Sequence, residues 1–319
     1  MLYKLTLSSY QTLSGFKVKN LPLTYQVFGR PLGSAPVIFV THALTGNSSV
    51  AGNTGWWKAL FGSDASIDLN RYSVLCFDIP GNGYNGFLIK EYEEICVADV
   101  AQWFLMGLEN LKIDSVYAGI GGSLGGSILW QMAVLRPDLF ENLIPIATDW
   151  KATDWLLAQC RVQKQILENS GNPVHDARIH AMTFYRSAAS LKQKFNRSLS
   201  DTPSLFNVES WLLHHGNKLQ NRFHLQAYKL MNHLLMTANI ECDGKDFSTL
   251  ASAISGTIYL VGIDSDGFYL NDEIEETYNK LKTRKDKVHY FKIESIHGHD
   301  AFLIEYEQLN NFLSPIFSK

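Results

Sequence analysis

The feature that most narrows what this chain can fold into lies at residues 117–133, YAGIGGSLGGSILWQMA, where an apolar strand runs straight into an apolar helix. Four glycines, Gly121, Gly122, Gly125 and Gly126, crowd the junction around one hydroxyl, that of Ser123. Gly121 and Gly125 bracket the serine as GxSxG, the spacing of a sharp strand-to-helix turn that lifts the serine oxygen above a sheet while small neighbours let the chain pass. Such a turn presents Ser123 instead of burying it. A tight connection with nothing reacting at its tip has the same glycine content, so partners elsewhere in the chain must decide between the two.

The turn needs a sheet, and the chain supplies one. Up to about residue 149 short β-branched or aromatic runs (PLTYQVF, VIFVT, YSVLCFDI, SVYAGI, LIPIAT) alternate with glycine-rich loops and helical stretches such as ADVAQWFLMGLENLKI. Strands alternating with helices imply a mostly parallel sheet with helices on both faces. From Trp150 to about Leu250 the texture becomes helical, in DWLLAQCRVQKQILEN and LQAYKLMNHLLMTA. Strand texture returns at GTIYLVGI and KVHYFKI, with a helical NDEIEETYNKLKT between them and a last helix expected from about Ala301. The expected architecture is α/β, with residues 1–149 and 251–319 forming the core and residues 150–250 an inserted helical cap over the carboxyl edge of the sheet, where open α/β folds place their sites.

Composition removes several function classes. The 319 residues are 46% hydrophobic, enough for a large core, and no run approaches the roughly 18 apolar residues of a membrane span. Lys and Arg total 28 against 31 Asp and Glu, a net charge of -3, which indicates neither nucleic acid nor a membrane surface as partner. Cys76, Cys96, Cys160 and Cys242 are widely spaced without a CxxC, and MLYKLTLSSY lacks the long apolar core of a secretory signal. Free thiols in a reducing cytoplasm are expected.

A serine hydroxyl needs an imidazole to take its proton and a carboxylate to hold that imidazole in the right tautomer. Chain order Ser, acid, His is the order of an α/β-hydrolase. The strand GTIYLVGI leads into Asp264 and Asp266, and KVHYFKI leads into His297 and His299. Either acid could meet either histidine. Turn chemistry explains Asp-Ser-Asp-Gly equally well, and the histidines lack a third ligand at metal spacing, so no metal is expected. Oxyanion donors are expected from the backbone N–H of Leu124 and from the loop in VIFVTHALTG that holds Leu44 and Thr45.

THALTGNSSVAG followed by GWW, then GGSLGGS, FNVESWLLHHGNKLQNRF, VGIDSDGFY and GHDAFLIE, together resemble the homoserine O-acetyltransferase family of the α/β-hydrolase superfamily over nearly the whole chain. The resemblance implies Ser123 as nucleophile, Asp266 as acid, His299 as base, and the amides of Leu44 and Leu124 as oxyanion hole, leaving Asp264 and His297 as bystanders. ARIHAMTFY is similar to the family's cap stretch in which an arginine and a tyrosine face the substrate, here Arg178 and Tyr185. By the same resemblance Asp300 would meet the substrate's ammonium and Thr45 would lie near the amino acid. An arginine fork matches a carboxylate. Asp300 also fits a helix N-cap before AFLIEY.

The resemblance further implies acetyl-CoA or another acyl-CoA as co-substrate, no permanently bound cofactor, a hydroxy amino acid as acceptor, and a homodimer through the helical block. One segment departs. Where the family carries a longer loop resembling GGCxGSTGP, this chain has DIPGNGYNGFLIKEYEEICVADV, which leaves open the acyl group, the acceptor (homoserine or serine) and the choice between transfer and hydrolysis. A non-catalytic binding protein would have no need of an assembled serine, histidine and acid.

Overall fold

The computed structural model of the protein describes residues 1–63, 65–201 and 204–318. In chain order its strands are β1 (Tyr3–Leu7), the short pair β2 (Tyr10–Gln11) and β3 (Lys17–Val18), β4 (Leu21–Gly29), β5 (Val37–Thr41), β6 (Ser73–Phe77), β7 (Val116–Gly122), β8 (Phe140–Ile146), β9 (Thr257–Ile263) and β10 (Val288–Ile293). Eight of them form one sheet in the order β1-β4-β6-β5-β7-β8-β9-β10, while β2 and β3 pair separately. Neighbours from β6 across to β10 are parallel, and β1 and β4 make an antiparallel edge. The mostly parallel sheet expected from the sequence is therefore present. Its outermost strand, YKLTL, escaped the sequence pattern because only Leu7 of it is buried.

Both faces of the central strands are covered. Along β5 the side chains of Ile38 and Val40 join a core with Trp57, Phe302 and Phe317, while Val37 and Phe39 point the other way into a core with Phe77, Trp103 and Phe104. This two-residue alternation, apolar on both sides, is what a buried parallel strand requires. Each fully buried side chain of this size contributes roughly 1.5–3 kcal/mol.

Helices line the face that holds Phe39. Helix α1 (Val97–Asn110) starts where the Asp99 carboxylate accepts from the Cys96 N–H at 2.9 Å, and α2 (Leu124–Leu135) is buried from Leu124 to Ala133 and packs beside it. Between β8 and β9 come α3 (Asp154–Asn169), α4 (Pro173–Tyr185), α5 (Ala188–Phe195), α6 (Asn207–Gln220), α7 (Leu225–Met236) and α8 (Phe247–Ser252). Among the described residues this stretch adds no strand to the sheet. Its first and last parts meet in a narrow neck: the Ala152 N–H donates to the Ala238 carbonyl at 2.7 Å and the Ile240 N–H to the Trp150 carbonyl at 3.2 Å. Most of the insertion thus leaves and rejoins the sheet at one place.

Helices α9 (Asn271–Lys282) and α10 (Tyr306–Phe317) complete the chain. The last helix begins later than the sequence pattern indicated. Residues Gly298–Leu303 form a tight 3-10 stretch instead, and the helix starts only at Tyr306. The reason is local: Gly298 has φ +68, and Phe302 turns inward against the glycine junction of β7. Among the described residues no helix is long and apolar enough to cross a membrane, and all four cysteines are unpaired.

Candidate active site

Ser123 sits between β7 and α2 with φ 55 and ψ -128, a conformation that costs energy for any residue with a side chain. The surroundings fix it there. The Ser123 N–H donates to the Ile146 carbonyl at 2.9 Å, and the Thr41 hydroxyl donates to the Gly125 carbonyl at 2.8 Å. A methyl group on Gly122 would lie 2.6 Å from the Phe302 ring, and one on Gly125 would fall on the Thr41 carbonyl oxygen. The glycines are needed because the end of β5 and the first turn of α2 meet here almost backbone to backbone, while the Phe302 ring from the 3-10 stretch presses on Gly122. Gly125→Ala is therefore expected to destabilise the protein by about 2 kcal/mol, since the roughly 1 kcal/mol of helix propensity that alanine gains is smaller than the cost of overpacking against a backbone oxygen. Urea unfolding measures it; a variant as stable as the parent would show that β5 and α2 separate freely.

The structure joins His299 to Asp266. The His299 Nδ1 lies 2.7 Å from one Asp266 carboxylate oxygen, and the other accepts the N–H groups of Phe268 at 2.7 Å and Tyr269 at 2.9 Å. Ser123, which the turn was expected to present, is instead buried at 4% exposure, like His299 at 4% and Asp266 at 5%, so the three sit in a water-poor setting where each contact counts for more. The rings of Tyr185, Phe268, Tyr269 and Phe302 enclose the imidazole, at centroid distances of 5.2 to 5.8 Å. Asp264 and His297 are engaged elsewhere. Asp264 is exposed and accepts the Ser295 N–H at 2.9 Å, while His297 Nδ1 accepts from Arg186 at 3.1 Å.

The loop after β5 is held by a buried polar network that the sequence reading did not assign. The Ile79 N–H donates to His42 Nε2 at 3.0 Å, which requires the proton on Nδ1, and Nδ1 in turn donates to the Ala43 carbonyl at 2.8 Å. Burial holds His42 below its ordinary pKa, consistent with this neutral form. Asp78 accepts the N–H of Ser48 at 2.7 Å and the hydroxyl of Thr24 at 2.6 Å, pinning the same loop. With the loop fixed, the Leu44 and Leu124 amides donate to no acceptor among the described residues. Thr45 is half-buried, and its carbonyl accepts from Arg222 at 3.1 Å, a cross-link from just past the end of α6 that no sequence pattern marks.

Helix α4 places two more of the sequence candidates beside the histidine. Tyr185 stacks on His299 at 5.5 Å, and the Arg178 guanidinium lies over the Tyr185 ring at 5.5 Å. Arg178 is half-buried and makes no ion pair among the described residues. Burial keeps the Tyr185 phenol well above its usual pKa, so it stays a neutral donor. Asp300 lies within the 3-10 stretch and caps no helix with its side chain; its carboxylate is instead 3.9 Å from Arg186. Burial pushes that carboxyl up, opposed by the charges of Arg178, His299 and Arg186. No group of three or more metal-ligating side chains is placed to hold an ion among the described residues.

Residues 36–290 match the model of the alpha/beta hydrolase fold family. The chain is 30% identical over 359 aligned positions to the homoserine O-acetyltransferase of Methanobrevibacter ruminantium, covering 98% of this chain and 71% of that protein. The chain belongs to the homoserine O-acetyltransferase family. The Salinibacter ruber enzyme of the same name is 28% identical, with 97% of this chain and 96% of that one aligned. The fold itself is shared more widely: the crystal structure of an acetylester hydrolase from Corynebacterium glutamicum superposes with a TM-score of 0.84 at 17% identity, over 100% of this chain and 96% of that one. In this homoserine O-acetyltransferase family member the departing loop PGNGYNG is wedged between the His42 network and the insertion. The Asn82 amide lies 3.3 Å from His42 Nε2, and a methyl on Gly83 would stand 2.9 Å from the His224 ring.

Proposed function

We propose that the protein carries an acetyl group from acetyl-CoA, on Ser123, to the hydroxyl of L-homoserine. In the first half-reaction the Ser123 oxygen attacks the thioester carbonyl as His299 Nε2 takes its proton. The Leu44 and Leu124 N–H groups receive the oxyanion, and the thiolate leaves with the proton from His299. The second half repeats the sequence with the homoserine hydroxyl attacking acyl-Ser123 and Ser123 leaving. Asp266 holds the imidazole tautomer and stabilises the imidazolium. The donor is a co-substrate, and no permanently bound cofactor takes part.

The observation that carries the transferase reading is Arg178: a half-buried guanidinium beside the His299 pocket with no ion-pair partner among the described residues, suited to receive a carboxylate in a bidentate contact. Water as acceptor would need no such group. Asp300 would face the acceptor's ammonium, with Tyr185 and Thr45 beside the amino acid. The curated relatives named as homoserine O-acetyltransferases support the same acceptor. Hydrolysis of an acyl ester is the second reading, favoured by the short PGNGYNG loop and by the fold shared with an acetylester hydrolase; L-serine is the alternative acceptor.

The test is release of free thiol from acetyl-CoA, and separately succinyl-CoA, with and without L-homoserine or L-serine. Strict dependence on the amino acid supports transfer, and equal rates without it support hydrolysis. Arg178→Met is expected to cost about 2 to 4 kcal/mol in acceptor kcat/KM while acyl-Ser123 still forms and accumulates, visible as a mass shift. An unaltered homoserine dependence would remove the carboxylate clamp. In this reading residues 150–250 act as a cap on the core of residues 1–149 and 251–319 in a cytoplasmic enzyme, and a second copy docks on the helical block, which exposes Trp155 and Val162 on α3 and Leu213 on α6.

A further inference from the structure

Arg186, the residue that ends α4, meets His297 and Asp300, which stand on either side of His299, and yet belongs to none of the roles above. One Nη group donates to the Ser190 hydroxyl at 2.9 Å and to His297 Nδ1 at 3.1 Å, and the other is 3.9 Å from the Asp300 carboxylate. Its Nε–H is buried and has no acceptor among the described residues. A buried donor left unpaired is costly, so hydrogen bonding alone does not explain a guanidinium here. What the position offers is a fixed positive charge beside Asp300.

The same stretch of chain is fastened to the histidine loop by its backbone. A methyl group on Gly298 would lie 2.7 Å from the Tyr185 carbonyl oxygen and 2.9 Å from the Ser187 nitrogen, and the Ser187 hydroxyl donates to the Ile296 carbonyl. The end of the helix that carries Arg178 and Tyr185 and the loop that carries His299 and Asp300 are thus one packed unit, and Arg186 is the charged member at their junction.

The groups that set the charge of Asp300 can be enumerated. Arg178 and Tyr185 come from α4, Arg186 from its end, and His299 and Asp266 from the histidine site. During acceptor binding Arg178 would be occupied by a carboxylate, and His299 must be neutral to act as base. Arg186 is the cation of this set that neither demand consumes. Its distance from Asp300 leaves carboxylate lone pairs available for a second cation.

We propose that Arg186 is a positioning residue for the acceptor half-reaction, holding Asp300 ionised and aimed so that it receives the acceptor's ammonium. The inference rests on the acyltransferase reading above. Arg186 acts through Asp300 and does not touch the reacting atoms.

The experiment compares Arg186→Met and Arg186→Lys with the parent enzyme in two assays: acyl-enzyme formation from acetyl-CoA, by intact mass, and kcat/KM for L-homoserine as a function of pH. Arg186→Met is expected to lower acceptor kcat/KM roughly tenfold to a hundredfold, mainly through KM, with acyl-enzyme formation little changed. Without the guanidinium Asp300 is harder to ionise, so the acidic limb of the acceptor profile moves to higher pH. Arg186→Lys restores the charge and is expected to bring the limb back and recover most of the loss. In an Asp300→Asn background Arg186→Met should add little, because the two act as one unit. An acid limb that stays in place, equal losses in both half-reactions, failure of lysine to rescue, or full additivity with Asp300→Asn would overturn the proposal. If the parent enzyme itself acylates but ignores homoserine, the transferase reading fails and takes this inference with it; a homoserine-dependent parent with an unaffected Arg186→Met variant sinks this inference alone.

Discussion

Ser123→Ala is expected to lower turnover by about 10⁴- to 10⁶-fold, the range seen when the nucleophile of such a triad is removed. Stability should hardly move. No protein acceptor or donor among the described residues depends on the Ser123 hydroxyl, and the backbone bonds that fix the turn, from the Ser123 N–H to Ile146 and from Gly126 and Ser127 to the Ser123 carbonyl, do not involve the side chain. Alanine at φ 55 carries much the same strain as serine. Matching thermal transitions would show that the fold is intact, and intact mass after mixing with acetyl-CoA should show no acyl adduct. A variant retaining more than a few per cent of the rate would mean that the acyl group travels by another route.

Which parts of this site were readable in the sequence follows from how far apart the cooperating residues lie. The glycine junction around Ser123 is a local signal, and so is the strand β9 running into Asp266; both stand at strand ends as the pattern indicated. The residues alone left Asp264 and Asp266, and His297 and His299, open, and the family resemblance selected between them. The geometry pairs Asp266 with His299 for a reason that no spacing displays: Asp266 is folded back under the amides of Phe268 and Tyr269, whereas Asp264 is turned outward to Ser295. His42 belonged to a recognisable motif, yet its task of accepting the Ile79 N–H, 37 positions away, is a tertiary fact. Arg186 and His297 are 111 positions apart, and Arg222 and Thr45 are 177 apart. Such contacts leave no periodicity, so neither arginine could be singled out beforehand. The late start of α10 was missed for the opposite reason: AFLIEY has helical texture, but Gly298 and the inward turn of Phe302 against Gly122 override it.

Asp266→Asn is expected to cost about 10⁴-fold in turnover, and Asp264→Asn little more than twofold. The size of the first effect comes from the orientation an asparagine must take. Two backbone N–H groups, of Phe268 and Tyr269, point at one oxygen of the Asp266 side chain, and His299 Nδ1 faces the other. An amide has one oxygen and one NH₂ group, and the two backbone donors compel its oxygen to stay with them. Its NH₂ then faces His299 and donates to Nδ1. The imidazole responds by carrying its proton on Nε2, the nitrogen that has to accept the proton of Ser123, so the base is present in the wrong tautomer. At position 264 the same change keeps a carbonyl oxygen available to the Ser295 N–H and leaves the imidazole alone. The histidines give the matching contrast: His299→Gln should be as damaging as Asp266→Asn, while His297→Gln, whose amide oxygen can still accept from Arg186, should retain most activity. Steady-state thiol release from acetyl-CoA with L-homoserine measures all four. A reversed ranking of the two aspartates would place the acid two residues earlier in the chain, and the loop from Asp264 to Tyr269 would then have to reorganise before each turnover.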